Sequence, residues 1–324
     1  MRIDPMLAAL RRDPAPQLAA QAALEACVEG WRASPVAART LAELERYGGG
    51  AELSDCPALA SALEVPSVAH GLLAELIASF ARAMKAHPLG HVPLRHQYSA
   101  GIAVQQLAVA GRASLALVCY ETCSSRAETR TVCFAGGERH ELCLAGAAEV
   151  RIFELVGDRE GGARLACTPR RIAAGEQLCF AGGRRTKIVD APQRRLAILR
   201  LARSEERAVP AREFRIADGA LVHVASGDRA ESRDEMAMAV LGALGRRDAV
   251  PAIAAVGRAG DASPHLRWQA VRHALALDTA AGFSLLTALA LDPFDPLATP
   301  AGALHAHLVE CHLQLAAGSA PCPA

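Results

Sequence analysis

The side chains with the most chemical promise lie in the middle of the chain. His91, His96, His140 and His223 are the histidines there. On a strand, neighbouring side chains leave opposite faces, so at most one of His140 and Glu141 looks inward. An inward His140 could stand beside His96 and Tyr98 as an acid-base or ligand-orienting group; a plain structural histidine is the alternative. Arg184, Arg185, Lys187, Arg194, Arg195 and Arg200 read as one hairpin, with Arg185 and Lys187 on the same face. A carboxylate, a phosphate or an acidic partner surface would bind there, unless the charges serve as a solvated edge that resists strand pairing.

Charge distribution marks the same region. Residues 89–225 carry 20 basic against 14 acidic side chains, while the whole chain has a formal charge of +1. That balance removes the broad positive field on which nonspecific nucleic-acid or anionic-membrane binding depends. Aromatic residues are 4% of the chain, too few for a base-stacking surface. No nucleic-acid partner and no membrane is expected.

Other constellations are thinner. His305, His307, Cys311 and His312 crowd near the end, with His307 and Cys311 four apart on one helical face. No second ligand pair lies close by, so no metal is assigned. Six of the ten cysteines (Cys119, Cys123, Cys133, Cys143, Cys167 and Cys179) fall in the middle third without a Cys-x-x-Cys pair, and read as small buried side chains. The chain has no nucleophile elbow, Walker loop, zinc-protease helix or dinucleotide fingerprint. Gly136-Gly137 and Gly182-Gly183 read as hairpin turns, and the cofactor is unknown. Arg267, Trp268 and Arg272 form the best candidate contact for a protein partner, the alternative being a tryptophan buried among helices.

The elements that must hold these residues follow from periodicity. At 324 residues and 52% hydrophobic, the chain is long enough for two or three domains. From Pro16 to His87 apolar residues recur at three and four, predicting about four helices. After Pro88 the period falls to two, in short runs from Gly101 to Leu201 separated by glycine or polar turns. Asp218-Gly219 has the chemistry of a type I′ hairpin. Helical spacing returns after Arg233, and Ser263-Pro264 supplies a cap and a first-turn proline. The expected fold is α+β and multidomain: helices over 1–88, an antiparallel β-barrel or sandwich over 89–227, a helical repeat over 228–318 and a frayed tail over 319–324. No run of eighteen apolar residues occurs, and Arg11, Arg12 and Asp13 interrupt the N-terminus before a secretory core forms. A cytoplasmic protein is expected.

Two resemblances sharpen this outline. Asp248-Ala-Val-Pro-Ala-Ile-Ala-Ala-Val256 followed by Pro264-His-Leu-Arg-Trp-Gln-Ala-Val-Arg-His-Ala-Leu-Ala-Leu277 resembles a HEAT-type helical repeat, with Arg267 ahead of the small residues Ala270 and Ala274. That resemblance implies a scaffold that contacts another protein. The β region is similar to the cupin group of double-stranded β-helix barrels. Gly90 followed by His96 resembles the opening of the first cupin motif, and Ile172-Ala-Ala-Gly-Glu-Gln-Leu178 the turn before the second. Tyr98 stands where a second histidine ligand would be, and no histidine lies between Glu176 and Leu201. The combined expectation is a non-catalytic binding or regulatory protein, its barrel holding an anionic small molecule or acidic peptide at His96, Tyr98, His140, Arg185 and Lys187. The alternatives are a cupin-like enzyme working at the barrel mouth, with or without metal, and an assembly protein that forms a homodimer.

Overall fold

A computed structural model describes residues 13–122, 129–159, 161–207 and 209–312. Cys123, the first twelve residues, the end of the last expected helix and the tail lie outside them. The chain divides into two compact units, one reaching to His223 and the other formed by residues 209–211 with everything from Val224 onward.

The first unit begins with α1 (Ala15–Ala33), α2 (Pro35–Gly48), α3 (Pro57–Glu64) and α4 (Pro66–Ala86). Prolines occupy the first helical position of the last three, where no backbone N–H is needed. Leu24, Val28 and Trp31 make the buried stripe of α1, and the Trp31 Nε1 donates to the Leu72 carbonyl at 2.7 Å, tying α1 to α4. No single described helix is long and apolar enough to cross a membrane. The bent pair α3–α4 passes that test by length and composition, but its apolar side chains, Leu59, Leu63, Leu72 and Leu76 among them, are buried in the core.

Twelve strands follow among the described residues: β1 (His96–Ser99), β2 (Ile102–Ala110), β3 (Ala113–Glu121), β4 (Thr131–Phe134), β5 (Glu138–Ala145), β6 (Ala147–Arg159), β7 (Gly162–Ala173), β8 (Gln177–Phe180), β9 (Arg185–Pro192), β10 (Arg195–Arg203), β11 (Ala211–Arg215) and β12 (Leu221–Ala225). They form a six-stranded sheet in the order β1-β2-β3-β10-β5-β8, a three-stranded sheet β7-β6-β9 and a ribbon β12-β11-β4. The middle of the chain is thus a stack of antiparallel sheets, and the described ladders leave β1 and β8 as edges rather than closing a barrel. β1 has no counterpart among the periodic runs of the sequence.

Alternation explains the layering. Leu115, Leu142, Leu199 and Leu201 face the N-terminal helices and share one core with them. Val118, Cys143, Leu196 and Ile198 face the β7-β6-β9 sheet, whose Val150, Ile152 and Val189 complete a second core. The other side of that sheet gives Phe153 and Leu155 to a third core with Val132 and Phe134 of β4 and Phe214 of β11. The N-terminal helices therefore belong to the same unit as the strands.

Two local readings need correction. β9 and β10 are not one hairpin: β9 pairs with β6, whereas β10 pairs with β3 and β5, so the basic residues are split between facing sheets. The turn between β11 and β12 is also not type I′, which needs positive φ at both central residues. Only Gly219 has it (φ +71). The Arg215 N–H instead donates to the Ala220 carbonyl across a four-residue loop, with the Asp218 carboxylate accepting from the Ala220 N–H at 3.0 Å.

The second unit holds α5 (Arg229–Ala243), α6 (Val250–Arg258), α7 (Pro264–Leu277), α8 (Thr279–Leu291) and α9 (Ala298–Cys311). Asp228, Ser263 and Asp278 cap α5, α7 and α8 with side-chain oxygens. Ile253, Val271, Leu285 and Leu286 lie in its core.

Candidate functional site

Strand β5 sends Arg139, Glu141 and Cys143 toward the β7-β6-β9 sheet, and Glu138, His140 and Leu142 toward the helices. Of the pair singled out in the sequence, the inward residue is therefore Glu141, which is 1% exposed. Three cations reach it from three strands. Arg200, its cross-strand partner on β10, donates from Nε to Oε1 at 2.8 Å. Lys187 crosses from β9 in the facing sheet to bond Oε2. The Arg139 Nε stands 3.3 Å from Oε1, within ion-pair reach but without hydrogen-bond geometry.

Aromatic rings close the cluster. The Arg139 guanidinium lies 4.5 Å from the centroid of Phe180, and the Lys187 ammonium lies 5.8 Å from Phe180 and 5.9 Å from Tyr120. The Tyr120 hydroxyl accepts from Arg200 Nη2 at 3.2 Å. Burial alone would raise the Glu141 carboxyl, but Lys187, Arg200 and Arg139 outweigh it and hold the group at about 2. Glu141 is therefore a fixed negative charge with no proton to exchange near neutrality. Burial pulls the Arg139 guanidinium below its ordinary value, Glu141 opposes that, and Arg200 adds to it.

A cavity of about 500 Å³ opens beside this cluster, a size ordinary for small-molecule sites. Arg139, Arg185 and Lys187 line it, together with Phe180, Thr131 and Glu213. Among the described residues Arg139 donates no hydrogen bond, and the Arg185 guanidinium makes no ion pair. Glu138 and Arg203 stand at the rim bonded to each other, and Glu138 also accepts from the Tyr47 hydroxyl at 2.7 Å. Burial and that bond push the Tyr47 phenol up. Cys133 is on the wall, but burial raises its thiol, with Glu213 adding to the effect, so it is not an activated thiolate.

Gly136-Gly137 and Gly183 also line the cavity. They are not hairpin turns: one link carries the chain from the ribbon to the six-stranded sheet, and the other from that sheet to β9. Gly137 has φ +95, and a Cβ there would lie 2.2 Å from the Arg203 carbonyl oxygen. A glycine is required at that crossing.

The structure brings Arg185 and Lys187 to one cavity but does not gather the histidine group. His96 and Tyr98 sit exposed on β1. His140 is on β5, four strand positions away, or about 19 Å along a sheet, and it points to the helix side, 3.6 Å from Glu138. Among the described residues no three His, Cys, Asp or Glu side chains converge as a metal would need. In the helical unit Arg267 is 4% exposed, donates to the Gly257 carbonyl at 3.0 Å and pairs with Asp295. Trp268 is partly buried against the core, and Arg272 is exposed. From the sequence, His140 rather than Glu141 was carried forward as the inward residue of that pair, and Arg139 was not singled out; a lone carboxylate in Glu-Leu-Cys-Leu144 was the available signal.

No protein-family model matches this chain. No curated protein matches it either. Solved structures similar over part of the chain include a putative mannose-6-phosphate isomerase from Ralstonia eutropha, at 14% identity and TM-score 0.25 over 33% of this chain and 88% of that one. A cupin superfamily protein from Desulfitobacterium hafniense aligns at 14% and 0.23, over 34% and 83%. The polyketide cyclase RemF from Streptomyces resistomycificus aligns at 14% and 0.26, over 39% and 84%.

Proposed function

We propose that the sheet unit is a cupin-like binding module that holds an anionic small molecule in the cavity beside Glu141 without transforming it. The observation that supports this is the imbalance around Glu141: three cations converge on one carboxylate, and two of them, Arg139 and Lys187, border the cavity. Drawing charges out of water costs several kcal/mol each unless they are matched, and a bound anion supplies the missing match. Glu141 acts as counter-ion, Arg139 and Arg185 as the forks that engage the ligand, and Phe180 as the surface that holds Arg139 in place. The helical unit is proposed to be a HEAT-type scaffold for a protein partner, with Arg272 and the open part of Trp268 available for contact while Arg267 braces the core.

The test is to titrate a panel of small organic anions against the full chain by calorimetry, then recover the binder after incubation. At least one anion should bind wild type, bind Arg139→Gln much more weakly, and be recovered chemically unchanged. A recovered product would favour the enzyme reading, and binding unaffected by Arg139→Gln would place the site elsewhere.

A further inference from the structure

We infer that the occupant of this cavity is a dianion, with two negative charges on one head group, rather than a monoanion. The inference rests on the anion-binding reading and adds a charge to it. Among the described residues, the charged groups that line the cavity or touch Glu141 are five cations (Arg139, Arg185, Lys187, Arg200 and Arg203) and three carboxylates (Glu138, Glu141 and Glu213). Two positive charges remain uncancelled.

Their location is defined. Arg203 is taken up by Glu138, and Arg200 by Glu141 and the Tyr120 hydroxyl. Glu213 bonds the Thr131 hydroxyl. The surplus therefore falls on Arg139, Arg185 and Lys187, which border one space, and Lys187 has only 2% of its side chain exposed. Lys187 is thereby closed off from water and Arg139 keeps 28% of its side chain exposed, so both are screened weakly, whereas Arg185 stands exposed at the cavity and is screened more fully. A monoanion would leave one of them unmatched, whereas a phosphoryl, sulfuryl or dicarboxylate head group matches both and offers paired oxygens to guanidinium forks. Val132, Ile188 and Phe180 form an apolar part of the wall, suited to the carbon body of an organic dianion.

The experiment is calorimetric titration of the full chain at constant ionic strength with sulfate, malonate and acetate. Sulfate or malonate should bind at least about tenfold tighter than acetate, because an unmatched buried charge is worth more than 1.4 kcal/mol. A preference for either dianion over the other supports the inference and identifies the head group. Arg139→Gln and Arg185→Gln, each with one cation fewer, should lose the dianion preference. Acetate binding as tightly as the dianions would overturn the inference and leave the anion site standing. Absence of binding by all three, or an undiminished dianion preference in both variants, would overturn the inference and the site together.

Discussion

Arg267 in the helical unit and Arg139 in the sheet unit are both guanidiniums drawn largely out of water, and they are neutralised in different ways. Arg267 has one carboxylate, Asp295, and one carbonyl, Gly257. Arg139 shares a single carboxylate with two other cations and faces open space. A matched pair accounts for itself as structure. An unmatched one beside a cavity leaves room for a bound anion, and for that reason the proposed function is placed in the sheet unit.

The contrast can be broken most forcefully at Glu141. Glu141→Gln leaves three cations facing one another and should lower stability by about 4 kcal/mol, read by chemical denaturation; a loss below about 1 kcal/mol would mean that the cluster is not held by that charge. Arg267→Met strands Asp295 and should cost about 3 kcal/mol, seen as earlier unfolding of the helical unit; an unchanged midpoint would remove the structural half of the comparison.

Acid sharpens the same difference. Glu141 is held at about 2, below the ordinary carboxylate value of 4.5, so its contribution is present above about pH 5 and lost as the pH falls toward 2. The gap is worth about 3 kcal/mol. Stability of the wild-type chain should decline through that window, and Glu141→Gln should flatten the decline. An equal acid limb in both proteins would rule out Glu141 as its source.

The smaller effects discriminate best. Arg139→Gln removes one surplus charge, so without ligand its stability should hold or rise, staying within about 1 kcal/mol of wild type, while anion binding is lost. A fall of 3 kcal/mol would make Arg139 a structural group like Arg267. Arg272→Ala, exposed and among the described residues bonded only to Gln269, at 3.4 Å, should change stability by less than about 0.5 kcal/mol; a larger loss would place it in the helical core.

Much of this architecture was legible in the chain because its local patterns were strong. The three-and-four spacing of Leu72, Leu73 and Leu76, with Pro57 and Pro66 at the starts of α3 and α4, marked the helices. Ser263-Pro264 marked the start of α7. The site was less legible because its parts meet only in three dimensions. Glu141 is 46 residues from Lys187 and 59 from Arg200, and no local period connects them. β5 is covered on both faces, so Leu142 and Cys143 show no polarity contrast that would tell which of His140 and Glu141 turns inward. The link after Pro192 has the composition of a tight turn, and nothing local shows that it changes sheets.

The most direct measurement is a crystal structure of the full chain soaked in selenate, whose anomalous scattering locates a dianion without ambiguity. The account predicts a selenium peak in the cavity, with its oxygens within hydrogen-bond distance of Arg139 and of Arg185 or Lys187. Selenate bound only on the outer surface, with Arg139 turned onto a protein carboxylate, would contradict it.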